Sequence, residues 1–530
     1  MKKLIPLLLV LILTACDMPG IAIGPSGSPQ FTSLPEEPPA YNGTDMYAIF
    51  GPVEISTVTL PATENDGVIR LSMRHPLTLN PLLNEDVTVA KILRLIFEPL
   101  IILDENFRPT SHLAEFELAS DFSSAILTIR SDAFWGDGMP VTSDDLIFSV
   151  NTLRTAPRNA IYRRNVENIA SITRIDTRSV QVHFHQATVN AGVCLNFPII
   201  PQHHYRNQTN PRSHNNMNPL GNAPFMLESH APTRNLTLVQ NPYSFRRRSQ
   251  IHEIEVVFLP DAQTELYAFD QGRIDALHLP LTEWARHHSV RHIRHEMVYG
   301  MYFEFIGFNF EREKFHNIQV RRGIAHAFNA DEVINAVYLN HAVRTVSPIH
   351  PYNWAADHVA GITYDQTRAG VLLGVVDVYE PIIILANADN PQRVSIANRL
   401  ASALNAVGLP ANAEIVPYAE YFTRIENGDF DLFIGGVNLA FMPEVQFFFR
   451  GGFYIEDLAL EAAFAATQNA LTETAYRQAV AQFQQAFVDR IPVIGLAFRH
   501  SAMLTNVRIV QNEAPTPCNI FGLVNLWDVE

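Results

Sequence analysis

The first sixteen residues constrain this chain more than any other stretch. Lys2 and Lys3 precede an apolar run from Leu4 to Leu13, and Leu13-Thr14-Ala15 leads directly into Cys16. A basic start, an apolar segment too short for a stable membrane span and small residues before a cleavage point are the physical parts of an export signal. Residues 1–15 are therefore read as a signal peptide, and the body is expected to fold outside the cytoplasm. A secretory signal whose cysteine is incidental is the other reading of the same residues. No second apolar run approaches the about 20 residues needed to cross a bilayer, so nothing beyond the N-terminus is expected in lipid.

The chain has 530 residues, beyond the roughly 250–300 at which a single core stops growing. Two or more lobes are expected. With 47% hydrophobic and 10% aromatic residues the body can bury a large core. The formal net charge of −16 becomes more negative when Lys2 and Lys3 leave with the signal, which disfavours nucleic acid as a partner. Basic residues are almost all arginine, and the only lysines are Lys2, Lys3, Lys91 and Lys314; we have no physical account of that bias. Past Cys16 only Cys194 and Cys518 remain, too few for a disulfide scaffold and wrongly spaced for zinc. Export permits them to pair, but the sequence does not bring them within bonding distance. Residues 16–66, rich in Pro, Gly, Ser and Thr, read as a flexible-to-extended tether behind Cys16. Met46 to Ile55 is apolar enough to be an edge segment packed on the body instead.

From Gly67 onward short β-rich runs alternate with helical stretches, an α/β pattern. Strands are expected at 68–72, 125–129, 253–258, 302–309, 382–385 and 430–435. Pro391 to Val407 carries Ile396, Leu400, Leu404 and Val407 at steps of three and four, with Gly408 just past its end, and predicts a helix facing a sheet. A second helix is expected from Thr472 to Asp489, with Ala479, Phe483 and Phe487 on one face and Pro492 as its stop. Asn329 with Glu332 forms a capping box that starts a helix at Ala330. No repeat, heptad, P-loop, G-x-G-x-x-G, His-Glu-x-x-His or G-x-S-x-G is present, so nothing asks for an enzyme.

The start of the chain resembles bacterial lipoproteins, which implies a lipid on Cys16 and a membrane anchor for the body. The body resembles the solute-binding proteins of peptide, oligopeptide and nickel ABC importers, known as family 5. The most specific piece is Phe134-Trp135-Gly136-Asp137-Gly138-Met139-Pro140-Val141-Thr142-Ser143-Asp144-Asp145-Leu146. It reads as a strand end, a Gly-Asp-Gly turn and a helix capped by Thr142 or Ser143, so its role is scaffolding. Leu79-Asn80-Pro81-Leu82, Ile96-Phe97-Glu98-Pro99-Leu100, Pro201 with His203, Gly221-Asn222-Ala223-Pro224-Phe225, Asn241-Pro242-Tyr243, Gly272-Arg273-Ile274-Asp275, Phe308-Asn309 and Gly428-Asp429-Phe430-Asp431-Leu432 follow in the family's order.

The resemblance implies a two-lobed periplasmic-binding-protein-like α/β fold of the large class, with the lobes joined by a two-segment hinge and closing over a ligand. Lobe I would take residues 67–283 plus 499–530, with an extra subdomain at about 110–200, and lobe II residues 284–498. Crossovers near Leu281 and Phe498 would form the hinge. It further implies a monomeric, non-catalytic importer component without a cofactor that delivers a peptide-like ligand to ABC permease subunits with their ATPase. A nickel-chelate or other non-peptide binder, and a sensor lipoprotein that no longer transports, are the alternatives.

The pocket chemistry departs from the dipeptide binders. Where they carry Gly-Trp followed by an amino-anchoring aspartate, this chain has Gly435-Gly436-Val437-Asn438-Leu439-Ala440-Phe441-Met442-Pro443-Glu444. Glu444 is either a substitute or a surface carboxylate. The arginine expected just before the helix at Pro391 is absent, and Arg393 belongs to the helix itself. By family position Met73, Arg74, His75, Trp354, Asn438, Phe441 and Glu444 are the expected ligand-binding residues. Trp354 is open to a second reading as a packed loop aromatic, and His75 to one as a turn residue before Pro76. His287, His288, His292 and His295 have spacing that suits a transition metal, but Arg286, Arg291 and Arg294 oppose a cation, so a solvated segment and no metal is the expectation.

Overall fold

A computed structural model of the protein describes residues 67–246, 249–280, 293–374, 380–439, 445, 448, 456–506, 509, 510, 515, 516, 519–521, 524 and 527–529. The export signal, Cys16, the tether, Cys518, Leu281, Phe441, Glu444 and three of the clustered histidines (His287, His288, His292) lie outside the described residues.

Two long strands organise the fold. Ile293–Phe308 and Val493–Asn506 pair antiparallel from Ile293 opposite Asn506 to Gly307 opposite Val493. The sequence predicts only the second half of the first of these. Arg294 and Glu296 obscure its alternation, and the partner strand extends it back to Ile293. Around the pair the sheet runs in the order Ala276–Pro280, Val493–Asn506, Ile293–Phe308, Leu432–Asn438, Ile382–Asn387 and Ala411–Val416, with Ala342–Arg344 also bonded to Val493–Asn506. Phe498, expected at a hinge crossover, lies inside the unbroken strand opposite Phe303.

A four-stranded sheet in the order Val68–Met73, Glu253–Phe258, Asn235–Gln240 and Phe225–Ala231 forms a second layer, its first pair parallel. A third sheet joins Ala114–Leu118, Ser124–Ile129, Ser179–Phe184 and Ile169–Arg174. One core spans these two sheets and takes in Ile509, Ile520, Phe521, Val524 and Trp527 from the C-terminus. Two further cores cover the faces of the long sheet. One holds Ile306, Phe308 and the buried stripe Ile396, Leu400 and Leu404 of helix Pro391–Ala406. The other holds Phe303, Phe305, Phe483 and Phe487.

Helix ends follow the caps. Asn390 caps Pro391–Ala406 by accepting from the Arg393 N–H, Thr472 caps Glu473–Arg490, and Asn329 caps Ala330–Ala336. Trp135 is fully buried, its Nε1–H donating to Asp145 Oδ2 at 3.2 Å. The other oxygen of Asp145 accepts from the Gln202 N–H at 2.8 Å. His203 Nε2 lies 2.8 Å from Asp137 Oδ2 of the Gly-Asp-Gly turn. Gly221 is required by close approach, since a Cβ there would lie 1.8 Å from the Ile96 carbonyl oxygen. Cys194 is a free thiol that donates to the Ala191 carbonyl, and desolvation pushes it up to about 12.

Glu98 shows how such scaffold residues respond to pH. It is buried, with His112 Nε2 at 2.6 Å and the Arg246 guanidinium at 3.3 Å. Burial alone would raise its pKa, but His112, Arg246 and Arg94 hold the carboxyl below the usual glutamate value. A carboxyl depressed in the fold stabilises it above the unfolded value of about 4.3, and that contribution disappears as pH falls through the folded value. The guanidinium midpoint of the wild type is therefore expected to drop more steeply below pH of about 4.3 than that of Glu98→Gln. Equal slopes for the two would remove Glu98 from the acid response.

Candidate functional site

The two long strands do not pair evenly. Val298 opposes Ser501 and Tyr302 opposes Arg499, so Ile293–Phe308 carries two extra residues between these pairs. A Cβ at Gly300 would lie 2.0 Å from the Arg499 carbonyl oxygen, which is why glycine occupies this bulge. Tyr299 beside it is 38% exposed and meets Tyr352 edge-on at 4.6 Å between centroids. Beneath them lie two buried imidazoles. His350 Nδ1 accepts from the Tyr352 N–H at 3.2 Å, and His500 Nδ1 sits 2.9 Å from Met297 Sδ. Burial lowers His350 to about 3 and His500 to about 4, so both are neutral at ordinary pH.

Past the bulge, strand alternation places Tyr302 and Glu304 on the face that carries Ile306, while Phe303 and Phe305 face the opposite core. Glu304 is fully buried. Its Oε2 accepts from Arg393 Nε at 3.2 Å, and its Oε1 lies 3.1 Å from Arg499 Nε. Arg393 also donates to Asn387 Oδ1 at 3.2 Å and to the Tyr302 hydroxyl at 3.0 Å. The Arg499 guanidinium lies 3.9 Å over the Tyr302 ring, a cation–π contact. Burial alone would lower the pKa of Arg393, but Glu304 beside it holds it well above the ordinary arginine value. Gly436 makes room for this group, since a Cβ there would lie 2.4 Å from Tyr302, 2.7 Å from Glu304 and 2.8 Å from Arg393.

The residues expected to line a pocket fall in different places. Met73 ends the first strand and is buried in the first core. Arg74 is half-buried, 3.8 Å from Asp86, and its N–H donates to Thr88. His75 is exposed, with Nε2 2.7 Å from the Pro232 carbonyl and its ring edge-on to Phe258. Trp354 is half-buried, stacked on Tyr476 and covered by the Arg108 guanidinium at 4.1 Å. Asn438 is exposed at the end of its strand, opposite Tyr302. Of these, Asn438 alone adjoins the Tyr302–Glu304–Arg393–Arg499 group. Tyr299, Tyr302, Glu304, Tyr352 and Arg499 went unnoticed in the sequence. One signal was available: Glu304 is a lone carboxylate within the apolar run Tyr302 to Phe310, and such a charge demands a buried cation. Among the described residues no group of three or more His, Cys, Asp or Glu could hold a metal, and no helix is long and apolar enough to cross a membrane.

The model of the bacterial extracellular solute-binding proteins, family 5, matches residues 108–453. The chain belongs to that family. A putative ABC transporter peptide-binding protein of Brucella ovis is 22% identical over 327 residues, which cover 59% of this chain and 62% of the relative. The oligopeptide-binding protein AppA of Bacillus subtilis is 20% identical over 399 residues, covering 70% of this chain and 74% of AppA. AppA has been solved with a nonapeptide and superimposes with a TM-score of 0.65 at 17% identity, over 87% of this chain and 99% of AppA. NikZ of Campylobacter jejuni in complex with Ni(L-His) superimposes with a TM-score of 0.68 at 19% identity, over 87% of this chain and 99% of NikZ. This family 5 solute-binding protein thus has the two-lobed fold of the extracellular binding proteins.

In this family 5 protein the buried group predicts a contrast. Glu304→Ala leaves two guanidiniums without their shared carboxylate and is expected to cost about 3–5 kcal/mol. Glu414→Ala removes the partly exposed partner of Arg424 and is expected to cost about 1 kcal/mol or less. Urea unfolding of both variants checks the difference, and equal losses would mean that the Glu304 group does not act as a buried ion cluster.

Proposed function

We propose that this chain is the lipid-anchored, extracytoplasmic substrate-binding component of an ABC importer, and that it captures a peptide-like solute by lobe closure for delivery to membrane permeases and their ATPase. It acts as a monomer without catalysis or cofactor. Lobe I comprises residues 67–283 plus 499–530 and lobe II residues 284–498. Family membership and the peptide-binding relatives support the transport role. The run from Lys2 to Cys16 supports the anchor.

One observation carries the ligand class. Arg393, the arginine nearest to where dipeptide binders hold a ligand carboxylate, is engaged by Glu304, Asn387 and Tyr302. Val437 in place of the tryptophan faces the aromatic core and is buried. A free dipeptide would lose charged hydrogen bonds of about 1.5–3 kcal/mol each. A longer peptide spreads its binding over backbone groups and apolar side chains and tolerates that loss. Met73, Arg74, His75, Trp354, Asn438, Phe441 and Glu444 remain the proposed ligand-lining set, extended by Tyr299 and Tyr352 at the bulge.

Native mass spectrometry of the soluble body starting at Asp17, purified from a bacterial host, tests this ligand class. A heterogeneous set of peptide masses released on mild unfolding is expected. A single non-peptide or metal-chelate mass would overturn the peptide reading while leaving the binding role. For the anchor, Cys16→Ser is expected to abolish incorporation of labelled palmitate and release the protein from the membrane fraction. Unchanged labelling would place the lipid elsewhere or nowhere.

A further inference from the structure

The hairpin of Ile101–Leu103 and Pro109–Ser111 belongs to the first core, in which Leu100, Ile101, Leu113 and Ala114 are buried. Its tip does not. Phe107 is 5% exposed and lies in the third core with Phe303, Phe305 and Phe483. Its ring stands edge-on to His350 with centroids 5.1 Å apart. The next residue, Arg108, donates to both carboxylate oxygens of Glu473 at 2.9 and 3.2 Å while its guanidinium covers Trp354. The Trp354 N–H in turn donates to the Asn106 carbonyl at 3.0 Å. A second loop crosses alongside. Val189 enters the third core while Ala191 and Leu195 stay in the first, and Gln186 Nε2 donates to the Gln468 carbonyl at 3.3 Å.

The turn is built for this contact. Asp104 Oδ1 accepts from the N–H groups of Asn106 and Arg108 at 2.9 and 2.8 Å, which closes the loop. Phe107 then adopts φ of 63°, a left-handed conformation unfavourable for a bulky residue. An aromatic ring held in that conformation on a free hairpin tip would be both strained and wet; seated in the third core it is neither free nor exposed.

We infer that the Asp104–Arg108 turn is an internal latch that holds the lobe built on the first core against the lobe built on the long sheet when no solute is bound. Phe107 supplies the anchor and Arg108 positions it through Trp354 and Glu473. The solute then does not supply the whole free energy of closure, and its apparent affinity rises with the fraction of chains already closed. The latch rests on the two-lobed fold and is independent of which solute the cleft takes.

Hydrogen exchange of the full-length protein, stripped of bound solute by guanidinium and refolded, tests the latch. Arg108→Glu and Glu473→Arg reverse an exposed pair and leave the cores intact. Each is expected to speed exchange about 3–10-fold both at 352–356 and at 186–190, where Gln186 pairs with Gln468 rather than with the substituted residues. The double variant, with the pair restored in reverse, is expected to return both segments to the wild-type rate. Phe107→Ala is expected to speed both by about tenfold or more. If the charge reversals alter 352–356 alone, or the double variant fails to restore 186–190, the two crossings open independently and there is no latch.

Discussion

Everything in this molecule is referred to one constraint, the antiparallel pairing of Ile293–Phe308 with Val493–Asn506. These strands lie far apart in sequence, yet their residues enter all three hydrophobic cores: Val298 and Met503 the first, Ile306 and Leu504 the second, Phe303 and Phe498 the third. The extra residues around Gly300 interrupt the regular pairing and leave Tyr299 partly exposed beside the bulge. Asp275, directly before Ala276–Pro280, ties the four-stranded sheet to this junction. It accepts from the Arg70 N–H and from the Asn506 side chain, both at 2.7 Å, so strand Val68–Met73 and strand Val493–Asn506 share one carboxylate.

The Glu304 group acts on the same junction by electrostatics. Two arginines and a glutamate in a desolvated setting do not by themselves make a protein more stable than a well-packed apolar cluster would, because removing the ions from water costs about as much as their attraction returns. What they do is penalise every wrong arrangement. Arg393 comes from helix Pro391–Ala406, Glu304 from one long strand and Arg499 from the other. A slip of one residue in either strand would move a buried charge to the opposite face, among Phe303, Phe305 and Phe498. The group therefore fixes register, and Gly436 on the neighbouring strand is the accommodation it requires.

The parts of the fold that were legible in the sequence are those with local physics. Helix Pro391–Ala406 could be read from its stripe and from Gly408, and Ala330–Ala336 from its Asn329 cap. The family-like motifs were legible as well, and the structure explains what they have in common. Asn80, Asp145, Asn222, Asn241, Asp275, Asn309 and Asp431 each satisfy a backbone or indole N–H, or a carbonyl, in a loop or along a strand. Such residues answer to the chain's own backbone, so their meaning survives without knowledge of a ligand. The half of Ile293–Phe308 before Tyr302 was illegible because a partner strand some two hundred residues away extends it. The role of Trp354 was illegible for a similar reason, since its cover comes from Arg108 on a distant hairpin.

This separation bears on how such a protein changes its solute without changing its fold. The backbone-satisfying residues are tied to buried groups whose loss leaves orphaned donors, so they resist substitution. Tyr299, Tyr352 and Asn438 are partly exposed and make few obligations to the scaffold beside them. They can be exchanged at little structural cost. Phe107 and Arg108 occupy a third category: they lie at the tip of a hairpin of the first core and contact the third core, Glu473 and Trp354. Substitution of Phe107, which is not among the proposed lining residues, would alter how much of the closing free energy the solute must provide, which scales the affinity for all solutes together rather than choosing among them.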